Sequence, residues 1–445
     1  MLTSTRRPSA LILLAAMLAL LAGCASSPDR VWYWPRIAPR VSENTPRAEY
    51  NRTVFDYAWK LTDRYYYDAT FGGHDWPALR EKYRAAAESA KNDAELYEQI
   101  NAMLAELGSS HLAAISPDEA RIRKKAHGDD VSLLGYLCLR LPGLDEPVVY
   151  EVAPNGPAAA AGVKRGWLQI GGVIRENPDA PLREGETVRC MFRDEHDAVR
   201  TVSMTTRVSF APHAGRSAGL SPDGVLCLRI DRFDNATAAW VRTMLKAHEK
   251  FIRAVVLDLR LNGGGTVSAC RRVLGEFFSA SDVRASPVKA GVFIDRGARP
   301  VAMKANVRRS GAAWRGPLVV LVSRLSASGA EVFASAIQAS GRGVIVGMSS
   351  TRRTAGAVLM SVDFALPGGG SLQIPVRDYV SARGARLETT GVRADVDAPL
   401  PTVASLRAGE DPALEVAVET ADAMASGNPK FQYPLRVCEW LDNPK

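Results

Sequence analysis

Apolar residues recur at helical spacing in the first part of the chain. One such run has its members three or four residues apart: Val54, Ala58, Leu61 and Tyr65. Residues 72–75 break the pattern, and Asp75 is placed to cap a second helix. A third apolar run lies within residues 96–107. These patterns predict an N-terminal helical domain over residues 47–117.

The spacing of the apolar residues changes after a charged stretch over residues 118–130, which we expect to be a linker. Short apolar runs broken by glycine and proline then predict β-strands. They include the following residues: Tyr136, Cys138, Val148, Val149 and Val152. The expected structure is a β-rich module over residues 130–207.

Strand and helix patterns alternate from residue 208 onward. The predicted elements, in chain order, are residues 225–230, 236–251, 254–259, 270–278, 317–322, 331–339 and 344–346. Such alternation predicts a parallel or mixed sheet with helices on its faces. We therefore expect an α/β core over residues 208–402, with two hairpin-like strands around residues 368–370. Residues 403–445 are expected to form a helix and a tail.

Residues 1–24 have the pattern of an export signal. Arg6 and Arg7 precede an uncharged apolar run over residues 10–21, which is too short to span a bilayer comfortably. The alternatives to a lipoprotein signal are a plain signal peptide and a short anchor helix.

Cys24 ends the quartet Leu-Ala-Gly-Cys, which resembles the lipobox of bacterial lipoproteins. The resemblance implies that Cys24 is diacylated and becomes the first mature residue. The alanine that follows is similar to the pattern for sorting to the outer membrane, so the body of the protein would face the periplasm. Residues 25–46 contain several prolines and are expected to be a linker leading away from the membrane.

Composition narrows the functional classes. The chain has 445 residues, of which 47% are hydrophobic and 23% charged, as is typical of a globular protein with two or three domains. Its net charge of +8 is scattered, so nucleic-acid binding is not expected. The six cysteines form no CxxC pair, and no HExxH, phosphate-loop or dinucleotide-binding motif occurs. We therefore predict neither a metal site nor a cofactor.

A serine-rich corner follows the apolar strand predicted over residues 317–322. Small residues join this strand to the next helix in the sequence Leu-Val-Ser-Arg-Leu-Ser-Ala-Ser-Gly-Ala-Glu. A hydroxyl at such a corner is exposed, and it lies beside the N–H groups and the positive dipole end of the helix. Ser328 is therefore a candidate nucleophile. The same pattern is equally consistent with Ser326 or Ser328 acting as a helix cap.

Four segments, in this order, resemble the serine peptidase family of C-terminal processing (tail-specific) proteases and the tricorn protease core. They are residues 107–111 (LGSSH), the β-rich module, residues 257–265 (LDLRLNGGG) and residues 326–331 (SASGAE). The last segment is similar to the family's SASASE, whose middle serine is the nucleophile and corresponds to Ser328. The resemblance spans residues 50–400 and implies an α/β (crotonase-like) serine protease core that acts on polypeptides.

The β-rich module resembles a PDZ domain. Residues 152–158 (VAPNGPA) and 161–166 (AGVKRG) are similar to the PDZ consensus, and residues 133–136 (LLGY) occupy the position of its carboxylate-binding loop. The resemblance implies that a peptide could pair with the adjacent strand edge, so that substrates are engaged through their C-termini. Trp167 stands where the family usually has aspartate, which leaves peptide binding open.

The position of the general base distinguishes two branches of this family. The C-terminal processing proteases use a lysine about 25 residues after the serine. Here that position falls at Arg353, and no lysine occurs between Lys304 and Lys430. Arginine stays protonated because its pKa lies above about 12, so a Ser–Lys dyad is not expected.

The tricorn-like branch fits the sequence better. That branch has a histidine base preceded by serine ahead of the PDZ module, and Ser110 and His111 match this pair. It also has a glutamate late in the domain, which Glu388 matches. The resemblance implies that His111 takes the proton of Ser328, since an imidazole suits this role at neutral pH. Glu388 and Ser110 would support it, and which of them orients the imidazole is open.

The N–H groups of Gly264 and Gly329 would form the oxyanion hole, because glycine lets the backbone approach closely. The sequence thus predicts a serine endopeptidase of the bacterial cell envelope, with polypeptide substrates and a lipid anchor. The rival hypothesis is a catalytically inactive peptide-binding or scaffold lipoprotein on the same fold, which Arg353 and Trp167 favour. A binder of small hydrophobic ligands is a third possibility.

Overall fold

Helices form the N-terminal region of the structure. The computed structural model describes residues 38–42, 44–125, 131–174, 182–207, 209–210, 215–279, 289–306, 313–348 and 353–427. The helices of this region are α1 (Arg47–Tyr65), α2 (Trp76–Glu88), α3 (Asp93–Ala105) and α4 (Pro117–Lys125). Asp75 Oδ1 accepts a hydrogen bond from Ala78 N, which confirms the predicted cap of α2.

Helix α4 differs from the linker predicted over residues 118–130. Its sequence begins with proline, and Asp118 and Glu119 lie in its first turn. Proline at the first position and carboxylates near the positive end of the dipole both favour a helix start. The prediction for residues 118–125 is therefore wrong, because high charge does not by itself prevent a helix.

The next region is a five-stranded antiparallel sheet with the order β3-β4-β5-β6-β7. Its strands are β3 (Tyr136–Leu139), β4 (Val148–Val152), β5 (Leu168–Ile174), β6 (Thr187–Arg193) and β7 (Val199–Thr205), with the short helix α5 (Pro157–Ala160) beside them. A separate pair joins β2 (Val131–Ser132) to β8 (Ser209–Phe210). Trp167 is buried against Phe192, and its Nε1 donates to Glu195 Oε2 at 2.5 Å. Trp167 thus belongs to the core of this module.

A six-stranded sheet with the order β18-β15-β14-β11-β10-β9 forms the centre of the molecule. Its strands are β9 (Arg216–Leu220), β10 (Val225–Ile230), β11 (Ala254–Asp258), β14 (Leu318–Ser323), β15 (Val344–Met348) and β18 (Val396–Ala398). All pairs are parallel except β9 with β10. Helices α6 (Thr237–Ala247), α7 (Val267–Leu274) and α8 (Gly329–Ala339) alternate with these strands. This confirms the predicted mixed α/β fold with a helical N-terminal region.

A second, antiparallel sheet connects the N-terminal region to this core. It consists of β1 (Ala113–Ile115), β12 (Lys289–Asp295), β13 (Pro300–Lys304), β16 (Met360–Ala365) and β17 (Ser371–Val380). Ala113 of β1 pairs with Gln373 of β17. Because His111 lies two residues before Ala113, this pairing carries the histidine from the helical region to the core.

The β-rich module and the core share one hydrophobic cluster. Val148, Tyr150 and Leu168 of the module pack in it with residues of β10, β11 and β14. The last two helices, α9 (Val403–Ala408) and α10 (Pro412–Ala425), also contribute to it, where the sequence predicts a single helix. Among the described residues, no helix is both long and apolar enough to cross a bilayer.

Candidate active site

Ser328 lies immediately before α8, at the corner between strand and helix. Its backbone has φ 52° and ψ −116°, a conformation that is costly for a residue with a side chain. The Ser328 N–H donates to Ala357 O at 2.6 Å and to Glu331 Oε2 at 3.2 Å. These bonds hold the half-buried serine in its strained conformation.

Glu331 is the residue that organises this corner. Its side chain is fully buried, and its carboxylate accepts from the Thr354 hydroxyl, from Gly356 N and Ala357 N at 2.8 Å, and from Ser328 N. Burial raises the pKa of Glu331, and these four hydrogen bonds act in the opposite direction. The carboxylate thus fixes residues 354–357 against the start of α8.

Ser326 has a structural role in the same turn. It is fully buried, and its hydroxyl donates to Leu259 O at 2.8 Å and accepts from Ser323 N at 2.9 Å. Both of these bonds lie within the core. Of the two serines considered from the sequence, only Ser328 is partly accessible.

Gly264 lies against Ser328. A Cβ atom at Gly264 would be 2.6 Å from Ser328 Cβ and 3.1 Å from Ser328 Oγ, and its φ of +112° also excludes most side chains. The Gly264 N–H donates to Asn262 Oδ1 at 2.8 Å. By contrast, the Gly329 N–H has no acceptor within the described part of the chain. Of the two expected oxyanion donors, Gly329 is therefore available and Gly264 is engaged.

His111, Ser110 and Glu388 are brought together. Ser110 Oγ lies 2.7 Å from His111 Nδ1, and Ser110 N donates to Glu388 Oε1 at 3.1 Å. The other oxygen, Glu388 Oε2, accepts from Val358 N at 3.0 Å. Since Ala357 O accepts from Ser328 N, Glu388 joins the histidine segment to the loop that holds the nucleophile.

No hydrogen bond joins Ser328 Oγ to the His111 ring among the described residues; the ring is bonded to Ser110 instead. Burial lowers the pKa of His111 below its usual 6.5, and the charge of Glu388 opposes this effect. The imidazole is consequently neutral and able to accept a proton at neutral pH.

Arg353 is bound to a backbone carbonyl. It is exposed, and its Nη1 donates to Thr390 O at 3.0 Å. Arg353 occupies the position where the lysine-dependent branch has its base, yet its charge is directed to a backbone carbonyl.

The sequence interpretation assigned no role to Glu331. The signal was present, because a serine followed three residues later by glutamate at a helix start is typical of a capping pair. The partner Thr354 lies 23 positions further along the chain and could not be identified from spacing.

No group of histidine, cysteine, aspartate or glutamate residues suited to a metal ion occurs among the described residues. The four cysteines in this part of the chain are free: Cys138, Cys190, Cys227 and Cys270. Cys24, the predicted lipidation site, lies outside the described residues.

Two family models match the chain. Residues 224–398 match Peptidase family S41, and residues 46–105 match the Tricorn protease C1 domain. The first match contains Ser328, Glu388 and the glycine turn. These matches confirm the family resemblance inferred from the sequence motifs.

Similar proteins and structures agree with these matches. A carboxyl-terminal-processing protease of Picosynechococcus is 26% identical over 372 residues, which cover 80% of this chain and 86% of that protein. The solved photosystem II D1 C-terminal processing protease is 25% identical, with a TM-score of 0.55, over 82% of this chain and 98% of that one. Mature CPAF complexed with lactacystin has a TM-score of 0.61 at 12% identity, covers 86% and 99% respectively, and shows similarity of fold.

Proposed function

We propose that this chain, which carries a peptidase family S41 domain after a tricorn protease C1 domain, is a serine endopeptidase that hydrolyses peptide bonds in polypeptides. The observation that carries the proposal is the link through Glu388. One of its oxygens binds Ser110 beside His111, and the other binds Val358 beside the carbonyl that holds Ser328. This link supports the proposal that a base and a nucleophile from distant parts of the chain act at one site.

In the proposed mechanism, Ser328 Oγ attacks the peptide carbonyl and His111 accepts its proton. The imidazolium that forms is stabilised by the Glu388 carboxylate. The contact from Ser110 Oγ engages Nδ1 of His111, so Nε2 is the nitrogen proposed to accept the proton. His111 then returns the proton to the leaving amine, and a water molecule hydrolyses the acyl-enzyme in the second half of the reaction.

Oxyanion stabilisation is assigned first to the Gly329 N–H, which lies at the positive end of the α8 dipole and has no acceptor among the described residues. The Gly264 N–H is the second proposed donor. It would have to be shared with Asn262 Oδ1, its present acceptor. The missing side chain of Gly264 leaves room for the tetrahedral intermediate beside Ser328.

The replacement Ser328→Ala tests this function. We expect loss of casein hydrolysis by about a thousandfold or more, and loss of labelling by a fluorophosphonate. Ser217→Ala, at an exposed position of β9, is the matched control and should remain active. Circular dichroism establishes that both variants are folded. Cleavage at the wild-type rate by folded Ser328→Ala would rule out the assignment.

The alternative is a peptide-binding or scaffold protein without catalysis. It is favoured by the engaged Gly264 N–H, and by the lack of a hydrogen bond between Ser328 Oγ and the His111 ring among the described residues. This function predicts that wild-type protein binds peptides as tightly as Ser328→Ala and releases them uncut. Mass spectrometry of the recovered peptide distinguishes the two functions.

The β-rich module is proposed to be a PDZ-like domain that presents polypeptide C-termini. Its loop over residues 133–135 is held by bonds from Ala153 N to Gly135 O and from Ala158 N to Leu134 O, at 2.8 and 2.9 Å. Its core accommodates Trp167, so that the usual aspartate is not needed for folding. Removal of the C-terminal carboxylate from a peptide should weaken its binding if this module acts as proposed.

We further propose that the protein is a lipoprotein of the bacterial outer membrane facing the periplasm, on the basis of the lipobox at Cys24. Metabolic labelling with palmitate should modify the wild-type chain and leave Cys24→Ala unmodified. Equal labelling of the two proteins would contradict this localisation.

A further inference from the structure

Arg377 is a buried guanidinium without a carboxylate partner. Only 6% of the residue is exposed, and no acidic side chain of the described residues forms an ion pair with it. Its Nη1 lies 3.9 Å from Met360 Sδ, a weak acceptor, and its Nε is sealed from solvent with no hydrogen-bond partner. The charge of Arg377 is thus largely uncompensated.

Arg260 provides the contrast within the same molecule. It is also 6% exposed, yet its guanidinium makes paired hydrogen bonds to Asp258 and Asp411, with the closest contacts at 2.7 Å. An unpaired buried charge is costly because it loses its hydration without gaining a counter-ion. Arg260 meets this requirement within the chain, whereas Arg377 does not.

The acidic residues nearest to Arg377 in the sheet are occupied elsewhere. Asp295 is its cross-strand partner, but that carboxylate binds the backbone and side chain of Arg299. Asp378, the next residue along β17, pairs with Arg386 at 2.8 Å. Neither carboxylate is left for Arg377, so a negative charge would have to come from a bound molecule.

Arg377 lies on the strand face that is turned toward the nucleophile helix. Pairing of β17 with β12 is regular from Asp295 to Val292, so Arg377 and Tyr379 point to the same side. The Tyr379 hydroxyl lies 3.0 Å from Ser335 Oγ of α8, the helix that begins after Ser328.

The contact to Met360 places Arg377 close to the Glu388 network. Met360 lies two residues after Val358, whose N–H donates to Glu388 Oε2.

We propose that Arg377 binds a carboxylate of the polypeptide held at this site. The group is either the C-terminal carboxylate or an acidic side chain, because both present the two oxygens that a guanidinium binds with paired hydrogen bonds. The inference rests on the proposed function, since it assigns a subsite to that same peptide-binding region.

Binding measurements in the Ser328→Ala background test the site without hydrolysis. A fluorescein-labelled peptide with a free C-terminus is compared by anisotropy with its C-terminal amide, and a peptide containing glutamate with its glutamine counterpart. We expect one acidic peptide to bind about ten to a hundred times more tightly than its neutral partner, as for a hydrogen-bonded charge. The pair of peptides whose members differ in affinity shows whether the carboxylate is the C-terminus or an acidic side chain.

Arg377→Met in the same background should reduce this preference about tenfold, because methionine fills similar space without charge. Any preference for a free C-terminus that remains is assigned to the β-rich module. Arg121→Met, at an arginine whose side chain is 77% exposed, is the matched control and should keep the preference. Arg377→Lys should retain part of it and serves as a second variant should Arg377→Met not fold.

An equal affinity for acidic and neutral peptides in Ser328→Ala would overturn the proposal, as would a preference that folded Arg377→Met retains in full. These outcomes are independent of hydrolysis. A protein that fails to cleave casein refutes the proposed peptidase, whereas a loss of acid discrimination concerns Arg377 alone.

Discussion

The corner that carries Ser328 and the segment that carries His111 are held by different means. At the corner, the buried carboxylate of Glu331 accepts four hydrogen bonds. One comes from the backbone of the strained Ser328, and three come from residues 354–357. At the histidine segment, Ser110 is exposed, and its bonds to Glu388 and to the neighbouring imidazole are the ones that position His111.

This difference assigns separate tasks to the two regions. Hydrogen bonds that are buried in a low dielectric are costly to break, whereas an exposed one can exchange with water. Ser328, the proposed nucleophile, is therefore preorganised by the core, whereas the proposed base His111 is held by weaker, exposed bonds. An approach of His111 Nε2 to Ser328 Oγ, with Nδ1 still held by Ser110, would complete the proposed catalytic arrangement.

Replacement of His111 should reduce catalytic activity more than any other change. In His111→Ala the serine loses its base, so kcat is expected to fall about a thousandfold or more while the unfolding midpoint stays close to that of wild type. His74→Ala, at an exposed histidine of the N-terminal region, is the control and should keep full activity. A similar loss in both variants would show that the effect is not specific to His111.

A substitution that displaces Ser328 should have the next largest effect on activity. In Gly264→Ala the new Cβ would lie 2.6 Å from Ser328 Cβ, so the serine or the glycine turn must shift, and kcat/KM should fall about a hundredfold. Gly263→Ala is a closely matched control, because its Cβ would meet nothing within 4 Å. Equal activity of the two variants in a peptide hydrolysis assay would contradict close packing at Gly264.

Glu331→Gln tests how firmly the corner is fixed. Each carboxylate oxygen accepts from two donors, so the amide nitrogen of glutamine must face at least one backbone N–H. We expect the free energy of unfolding to fall by about 2–3 kcal/mol and kcat to fall about tenfold. The exposed Glu410→Gln is the control for chemical denaturation. An unchanged stability would mean that Glu331 does not organise the corner.

The pH dependence of activity should report the base. Because burial lowers the pKa of His111, kcat/KM is expected to rise with pH through a midpoint below about 6.5. Glu388 opposes that shift, so Glu388→Gln should move the midpoint further toward acid pH and reduce the plateau about tenfold. A midpoint displaced toward alkaline pH would contradict this assignment.

The ionisation of His111 should also make the stability of the folded protein depend on pH. Since the pKa of His111 is lower in the folded state, the unfolded chain binds more protons below about pH 6.5. The contribution of His111 to stability is therefore present above that pH and is lost as the pH falls through the folded value. The midpoint of thermal unfolding of wild type should fall relative to that of His111→Ala as the pH drops below about 6.5, and the difference between the two proteins should be independent of pH at alkaline pH.

Local sequence patterns determined much of the fold. The predicted strand over residues 225–230 is found with the same limits, and those beginning at residues 254, 317 and 344 lie within one or two residues of the observed strands. Buried parallel strands are continuous apolar runs, which are visible without an alignment. The same patterns gave a linker in place of α4 and one helix in place of α9 and α10, because weakly amphipathic and short helices leave little periodic signal.

The sequence by itself also indicated the kind of chemistry. A serine at a strand-to-helix corner, a glycine turn and a distant serine–histidine pair were recognisable from their residues, as was the absence of a lysine near Arg353. Each of these features consists of residues close together in the sequence, so it can be recognised without a structure.

Only the tertiary structure decided how the parts meet. The pairing of β1 with β17 carries His111 to the core, and Glu388 bridges segments that are 278 and 30 positions away from it in sequence. The unpaired charge of Arg377 is likewise visible only when the neighbouring carboxylates are seen to be engaged. Hydrogen bonds and burial depend on distances in space, and these are set by packing between elements that no local pattern specifies.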